Sequence, residues 1–325
     1  MASARPKFPT SMGYPILPQL PPWLAFTQGQ IWHVKPSSGL DTNTGKSPRN
    51  AFKTLAAALA AATANQNDIV VFYGEGNASA SCTDYQSTSL AWNKDLVHLV
   101  GINSGVSISP RARIAAISTY ANAAPTMQVT ANGCYFANLA IYMGVADTTP
   151  LGALSVSGSR NRFDNCHVLG IGADTNDIVG AYSLLLSGAE ECEFHSCQFG
   201  SDRTTHGAAA NSVLKFASTA KNIIFDKCLL RLVSTHATNH VFVRAAAGSL
   251  DGSVAFINGC QGINSQSRNV SGVELTYAMV VASDAGGDVY ISPDSKFQAA
   301  DVNSTDAGNV YSDAATSGIA VPLVK

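Results

Sequence analysis

Charged residues are scarce in this 325-residue chain. Asp, Glu, Lys and Arg make up 13% of the sequence, about half of the roughly 25% that is usual for soluble domains. The hydrophobic fraction is 46% and the net charge is −2, a combination that argues against intrinsic disorder. The two signs nearly balance, so there is no basic excess of the kind that nucleic-acid-binding proteins carry. We therefore expect a folded protein without a nucleic-acid partner.

Long apolar segments and paired metal-ligand motifs are also missing. The longest nearly apolar run, Leu55 to Ala64, is about half the length that a membrane-spanning helix needs, so membrane insertion is not expected. The seven cysteines include no Cys-x-x-Cys pair, which makes a disulfide framework or a structural zinc site a poor interpretation. We predict no metal, no cofactor, and reduced thiols that pack as small apolar groups.

Proline is concentrated at one end of the chain. Six of the 13 prolines lie within residues 1–22, where they exclude a signal-peptide core, a helix or a central strand. A disordered leader is one interpretation, but the segment is apolar enough to favour an extended arm that docks on another protein. The predicted docking residues are Phe8, Tyr14, Ile16, Leu17, Leu20, Trp23 and Phe26.

After this arm, the sequence predicts short strands and one helix. Ile31 to Val34 and Asp68 to Tyr73 have the apolar patterns of strands. The helix is predicted over residues 51–65, because apolar residues recur there at three- and four-residue spacing on one face. The residues of that face are Phe52, Leu55, Leu59 and Ala62.

The most informative feature is a repeat of about 31 residues in the second half of the chain. A phenylalanine recurs at intervals of 31, and a cysteine three or four residues later recurs at intervals of 31 or 32. Period-2 alternation on both sides of each phenylalanine indicates strands and excludes a helical solenoid. The repeating residues are Phe163, Phe194, Phe225 and Phe256, followed by Cys166, Cys197, Cys228 and Cys260.

An all-strand repeat of this length predicts a parallel β-helix with one repeat per coil. Equivalent residues of successive coils then stack about 4.8 Å apart, so the phenylalanines and the cysteines become two internal ladders. Asn138, Asn165 and Asn258 follow two residues after a phenylalanine, where asparagine can adopt the left-handed conformation that bends the coil. Ser196 and Lys227 interrupt this asparagine column. Val241 and Val243 align with Leu214 and Phe216 of the preceding coil, although less well than the other strands align.

These segments resemble a known superfamily. The stretch that begins IWHVKPSSGLDTNTGKSPRNAFKTLAAALAAATANQ, followed by LVHLVGINSG and by coils of the type GSRNRFDNCHVLG, resembles the right-handed, pectin-lyase-like parallel β-helix proteins. More narrowly, CEFHSCQFGSDRTTHGAAANSVLKFA and GGDVYISPDSKFQAADVNSTDAGNVY look like β-helix proteins of tailed-phage virions. The resemblance implies an all-β, single-stranded solenoid, with the helix as its N-terminal cap. It is weak for function, because this fold hosts enzymes, adhesins and structural proteins alike.

The implied organisation has four parts. Residues 1–30 form the anchoring arm, and residues 31–100 contain the first strands and the capping helix. Residues 101–270 form the repeating coils, and residues 271–325 form the last coils, a cap and a tail.

One outward column is a candidate for catalysis. Asp164, His195 and Asp226 each follow a repeating phenylalanine, so they face outward. The two carboxylates are then expected roughly 9–10 Å apart, near the separation of an inverting glycosidase pair. A solvated charge ladder or a subunit contact arises from the same spacing in any solenoid, and we favour that structural interpretation over the catalytic one.

Two metal-site alternatives are weaker. Asp41-x-Asn43-x-Gly45 resembles the start of a calcium loop, but the position of the closing glutamate holds Phe52. His236 and His240 offer only two ligands, without a predicted helix to align them. Neither pattern changes the prediction that the protein holds no metal.

Three functional hypotheses remain open. We favour a structural protein of a tailed-phage virion, a homotrimeric decoration or spike protein on the capsid surface rather than the tail, bound to the major capsid protein or another virion protein. The second is a tailspike or secreted polysaccharide lyase or hydrolase that acts on surface glycans. The third is an adhesin that binds a host glycan without catalysis. Low charge favours the first, because interface cores are depleted of charged residues.

Overall fold

The computed structural model contains a parallel β-helix in which three sheets run the length of the solenoid. It describes residues 10–11, 14–15, 29–76, 79–102, 108–120, 123–145, 147–149, 151–265, 273–303 and 310–312. The chain visits the three sheets in a fixed order, once per coil, through about seven turns. The predicted fold class is therefore confirmed.

Sheet A is the ten-stranded sheet that contains the repeating phenylalanines. All pairings within it are parallel, and Phe136, Phe163, Phe194, Phe225 and Phe256 are in register from one strand to the next. The strands are Ile31–Val34, Asp68–Tyr73, Val97–Ile102, Tyr135–Ala137, Arg162–Asp164, Glu193–His195, Ile223–Asp226, Ser253–Ile257, Asp288–Ile291 and Val310–Ser312.

Sheets B and C have eight strands each and complete the coil. Sheet B follows sheet A, after a tight turn in the five coils that begin at Tyr135 and after nine residues in the two coils before them. Its strands are Thr83–Gln86, Ala112–Ala116, Leu139–Tyr142, His167–Leu169, Gln198–Gly200, Leu229–Leu232, Gln261–Asn264 and Lys296–Phe297. Sheet C follows longer loops, and its strands are Leu90–Trp92, Met127–Val129, Gly152–Val156, Tyr182–Ser187, Asn211–Ser218, His240–Ala245, Tyr277–Val281 and Asp301–Asn303.

The sequence alignment of one sheet C strand was wrong by two residues. Leu214 pairs with Val243, and Phe216 pairs with Ala245. Val241 therefore pairs with Ser212 and not with Leu214. The apolar alternation of this strand fits both registers, and only hydrogen bonding to the neighbouring coil selects between them.

A continuous apolar core extends through the solenoid, from Trp32 to Ala299, and a smaller second cluster of buried side chains is formed by Ile69, Val71, Tyr73, Val100, Tyr135 and Ala137. Its centre is a column of phenylalanine rings that stack nearly parallel, with neighbouring centroids 4.6–5.0 Å apart and interplanar angles of 10–12°. The rings at Phe163, Phe194, Phe225 and Phe256 are fully buried. Burial of these rings and of the surrounding aliphatic side chains is the main stabilising contribution to the fold.

The cysteine column lies beside the rings. Cys166, Cys197, Cys228 and Cys260 are buried and free, and each thiol lies 3.2–3.7 Å from backbone carbonyl oxygens of its own and the preceding coil. A weak S–H donor in an apolar interior is satisfied in this way without a charged partner.

The predicted helix is shorter than its apolar pattern. It spans Leu55–Ala61, with Thr54 as the N-cap residue, and Leu55, Ala58 and Leu59 are buried against the core. The Asp41 carboxylate fixes the start, because it accepts hydrogen bonds from the backbone N–H of Lys53 and Thr54 at 2.8 and 2.9 Å. Asp41 therefore acts as a helix anchor in this structure.

The end of this helix has a similar local cause. Residue 62 is already extended, and the next residue, Thr63, donates its N–H to the Asp68 carboxylate at 2.9 Å. Asp68 also accepts from the indole of Trp32 at 2.9 Å. This buried carboxylate ties the end of the helix to sheet A four residues before the predicted boundary at 65. A second α-helix, Ser79–Cys82, and two 3-10 helices, Pro48–Asn50 and Asp174–Asn176, are brief.

The tight turn between sheets A and B keeps one backbone conformation in five successive coils. Asn138, Asn165, Ser196, Lys227 and Asn258 all have positive φ, between 52° and 58°. Asn165 donates its side-chain amide to the Asn138 amide oxygen at 2.7 Å. The asparagine ladder is broken at Ser196, but the left-handed turn continues because the coil geometry requires it.

Ser196→Asn should therefore stabilise the protein. Asparagine tolerates positive φ better than other non-glycine residues, so we expect a gain of about 0.5 kcal/mol in the free energy of unfolding, measured by urea denaturation. Ser196→Val is the opposite control, because a β-branched residue is strained at this φ. A stability order in which the valine variant equals or exceeds the asparagine variant would contradict this account of the turn.

Candidate functional site

The predicted column on sheet A forms as the sequence suggested. Asp164 pairs in register with His195, and His195 pairs with Asp226. In the neighbouring outward column of the same sheet, Arg162 pairs in register with Glu193. Side chains of these residues are partly exposed on the outer face of sheet A. We call Arg162, Asp164, Glu193, His195 and Asp226 the charged ladder.

The side chains of the charged ladder form hydrogen bonds and ion pairs with one another and with Tyr135. Arg162 Nε donates to Asp164 at 2.9 Å, and the Tyr135 hydroxyl donates to the same carboxylate at 2.8 Å. His195 places one ring nitrogen 2.8 Å from Glu193 and the other 2.9 Å from Asp226. A neutral imidazole can donate to only one of these carboxylates, whereas the protonated ring donates to both. All three predicted candidates are therefore engaged with neighbouring side chains.

The electrostatics of Asp226 do not favour a role as general acid. Burial acts to raise the pKa of Asp226, but hydrogen bonds from Asn258 and His195 outweigh it and leave that pKa below its usual value. A glycosidase acid needs a carboxyl group whose pKa is raised. Burial, together with the adjacent Asp164 carboxylate, raises the pKa of the Tyr135 phenol, so this hydroxyl is a hydrogen-bond donor rather than a base.

The cysteine column is a poor source of nucleophiles. Burial raises the pKa of Cys166, Cys197 and Cys228 well above the usual value of a thiol. A hydrogen bond with Cys228 lowers the pKa of Cys260, but Cys260 itself is fully buried. A thiolate that attacks a substrate needs exposure and a nearby base or cation, and this column provides neither.

The two histidines of the weaker metal-site alternative differ in burial, because His236 is exposed and His240 is buried. His240 is buried against His206, with ring centroids 4.6 Å apart, and burial lowers the pKa of both rings. Within the described ranges, no group of three or more His, Cys, Asp or Glu side chains is placed to hold a metal ion.

A groove on the outer face of sheet B was not predicted from the sequence. Its cavity volume is about 590 Å³. The floor includes Arg113, His167, Gln198 and Arg231, which come from four of five successive strands of sheet B. Other lining residues come from loops and neighbouring strands, among them Tyr85, Ile108, Ser109, Tyr142, Leu169, Asp202 and Arg203. We call this cavity the sheet B groove.

The sequence did contain a signal for this groove. His167 and Gln198 each come directly after a repeating cysteine. Because the cysteine faces inward at the tight turn, the residue that follows it begins sheet B on the outer face. The two side chains are level in the ladder. Reading the outward columns of every sheet, and not of sheet A alone, identifies this pair.

The structure describes only one of the seven predicted docking residues of the arm. Phe8, Ile16, Leu17, Leu20, Trp23 and Phe26 lie outside the described residues. Tyr14 belongs to a short antiparallel pair, Thr10–Ser11 with Tyr14–Pro15. Neither α-helix in the described part of the chain has the length and apolarity that a membrane crossing requires.

Comparisons with known proteins identify the fold. No family model and no curated protein matches the sequence. Among solved structures, pectin methylesterase PemA from Erwinia chrysanthemi is similar with a TM-score of 0.55 and 13% identity, over 86% of this chain and 87% of that chain. Pectate lyase Pel9A has a TM-score of 0.58 and 12% identity, over 84% and 64%. A pectin methylesterase mutant in complex with a hexasaccharide has a TM-score of 0.55 and 14% identity, over 90% and 92%.

These similarities establish the parallel β-helix fold. The identities of 12–14% carry the architecture only, because one solenoid fold hosts many unrelated functions.

Proposed function

We propose that this chain is a non-catalytic structural protein of a tailed-bacteriophage virion. In its most concrete form, the protein is a homotrimeric decoration or spike, mounted on the capsid surface by residues 1–30. The absence of catalysis is proposed from the charged ladder, in which Asp164, His195 and Asp226 are all bound by neighbouring side chains. The sequence resemblance to phage β-helix proteins supports the proposed location in a virion.

Composition and architecture support an assembled role. The solenoid has one continuous apolar core, so it forms a stiff rod suited to bridging neighbouring capsid subunits. Charged residues amount to 13% of the chain, which suits a subunit that buries part of its flank against identical copies. The proline-rich arm has a low ordering cost on docking.

The test is incorporation into particles. Deleting residues 2–30 should abolish incorporation of an otherwise folded protein, measured by protein gels and imaging of purified particles. Asp226→Asn is the matched control, because it alters the charged ladder and leaves the arm intact, so its incorporation should equal that of the unmodified chain. Undiminished incorporation without the arm would overturn the anchoring role. A depolymerase activity that Asp164→Asn or Asp226→Asn abolishes would overturn the non-catalytic role.

A second candidate function is glycan binding without catalysis. The sheet B groove favours it, because a concave site of about 590 Å³ with apolar walls and several polar groups has the general form of a small-molecule site. The similar solved structures include enzymes named for their action on pectin, and polysaccharide chemistry is the class that this candidate would share with them.

A further inference from the structure

The outer face of sheet A changes character along the solenoid. From the strand Arg162–Asp164 onward it carries the charged ladder. In the four strands before it, the outward positions hold apolar, tyrosine and histidine side chains and no Asp, Glu, Lys or Arg. We call the buried cluster on this part of the face the sheet A patch, and it consists of Ile69, Val71, Tyr73, Val100, Tyr135 and Ala137.

The sheet A patch is buried far more deeply than the charged ladder. Its six residues are 0–4% exposed, whereas the side chains of Arg162 and Asp164 in the next strand are 41% and 22% exposed. The partly buried apolar residues that pack against the patch, Ile31 and Ile102, belong to sheet A itself. Outward side chains stand roughly perpendicular to a sheet, so their neighbours in the sheet cannot cover their ends. Burial to this extent therefore requires a second layer of chain above the patch.

Two histidines on the same part of the face add no charge at neutral pH. His33 and His98 occupy outward positions level with the patch residues Val71 and Ile69. Burial is the main cause that lowers the pKa of both rings to about 4, so both are neutral at pH 7. An uncharged face favours an uncharged covering segment, because an unpaired charge buried against it would be costly.

The chain enters sheet A beside the patch. Gln30 donates its backbone N–H to the Asp68 carboxylate at 2.7 Å. Gly29 lies so close to the start of the strand Asp68–Tyr73 that a Cβ on it would lie 2.1 Å from the Asn67 carbonyl oxygen. Residues 29 and 30 are therefore fixed against the strand that contributes half of the patch, and the residues that precede them begin next to it.

Residues 16–28, ILPQLPPWLAFTQ, lead directly to this entry point and lie outside the described residues. They contain three prolines and no charged residue. The prolines disfavour pairing as a further strand and suit an extended segment that packs its side chains on a surface. At about 3.1 Å per residue, the segment spans roughly 40 Å, whereas the first four strands of sheet A are about 14 Å across, so it is long enough to cross the patch. Residues 313–325, which also lie outside the described residues, follow the last strand of sheet A at the opposite end of the solenoid.

We propose that residues 16–28 pack across the sheet A patch of the same chain and form its second layer. The apolar side chains that this assigns to the patch are Ile16, Leu17, Leu20, Trp23, Leu24 and Phe26. Residues 1–15, with Phe8, then remain for docking on a partner protein. The inference goes beyond the virion role, because the covering segment is part of the folded chain whether or not a particle is present.

Quenching of tryptophan fluorescence by acrylamide tests this contact in the full chain. The chain has three tryptophans, Trp23, Trp32 and Trp92, and the last two are buried. Because Trp23 is packed against the patch, acrylamide should quench the native chain as weakly as the Trp23→Phe variant, which contains only the two buried indoles. The urea-unfolded chain, in which all the indoles are exposed, gives the upper limit of quenching.

Matched aromatic substitutions in the two halves of the arm measure the stabilisation. Trp23→Ala should lower the melting temperature by about 4 °C or more, because it removes a large buried side chain. Phe8→Ala is the matched control and should change the melting temperature by less than about 1 °C. Deletion of residues 2–28 should expose the patch and increase binding of the dye ANS, whereas deletion of residues 2–15 should not.

Native quenching that exceeds that of Trp23→Phe, or equal melting temperatures for Trp23→Ala and Phe8→Ala, would overturn the proposal. Protection of Trp23 that disappears on dilution to the monomer would place the arm of a neighbouring copy on the patch, which overturns it too. The single substitutions keep the test decisive if the longer deletion fails to fold. Loss of particle incorporation on deletion of residues 2–15, at an unchanged melting temperature, concerns the anchoring role alone.

Discussion

Phe194→Ala should lower the free energy of unfolding by about 3–5 kcal/mol, the usual cost of truncating a fully buried aromatic side chain. Phe194 is in the middle of the ring column, with centroids 4.9 Å from Phe163 and 5.0 Å from Phe225. Phe199 contacts it edge-on at 5.7 Å. The substitution removes all three ring contacts and leaves a cavity that the rigid coils on both sides cannot fill. Urea denaturation followed by circular dichroism measures the loss.

Two controls separate the ring column from general effects of substitution. Phe194→Leu retains most of the apolar volume and should cost clearly less than alanine. Val179→Ala removes an apolar side chain that is 67% exposed, and should change stability by less than about 0.5 kcal/mol. A loss below about 1 kcal/mol for Phe194→Ala would show that the ring column is not a major source of stability.

Acidification should destabilise the fold strongly between about pH 6.5 and pH 4, the interval set by the lowered histidine pKa values. Burial lowers the pKa of His33 to about 4, with help from Lys35, and lowers that of His98 to about 4 against the opposing effect of Asp68. Burial lowers the pKa of His206 to about 3. Histidines in the unfolded chain take up protons near pH 6.5, whereas these folded rings resist until pH 3–4.

The sign follows from this difference. The unfolded state binds more protons across the interval, so the stability present above pH 6.5 is lost as the pH falls. Asp84 acts in the opposite direction, because burial raises its pKa to about 6 and the folded state takes up that proton first. The histidines outnumber it, and we expect a net loss on the order of 5 kcal/mol between pH 7 and pH 4.

Urea denaturation at a series of pH values measures this loss. His206→Leu removes one of the buried rings and should flatten the pH dependence. His236→Leu is the matched control, because the His236 side chain is exposed rather than buried, and its profile should follow the unmodified chain. A stability that is constant from pH 7 to pH 4 would contradict the role assigned to the buried histidines.

The coil architecture was predictable because its cause is repeated in the sequence. The interval of 31 between successive phenylalanines sets the coil length, and the inward alternation around Phe225 sets the faces of the strands. The turn at Asn165 was also predictable from the conformational tolerance of asparagine. Lys227 adopts the same positive φ without any such preference, because neighbouring coils impose the turn on it.

The functional surfaces were less predictable, because they depend on which side chains meet across coils. The repeat spacing predicted that His195 lies between two carboxylates. It did not predict the contacts of the His195 ring with Glu193 and Asp226. The helix boundary depended on Asp41, which is remote in sequence from the apolar pattern. The groove needed the loops around Ile108 and Arg203, whose paths no periodicity specifies.

The five turns of positive φ have a further consequence for where the coils can differ in length. The connection from sheet A to sheet B is only one to three residues long in these coils, whereas the connections from sheet B to sheet C are longer and unequal in length. In these five coils the corner between sheets A and B therefore leaves almost no room for extra residues, whereas the edge between sheets B and C holds connections of unequal length. Differences in length between these coils are therefore largest at the edge beside the sheet B groove, and the stacking of the coils is preserved across them.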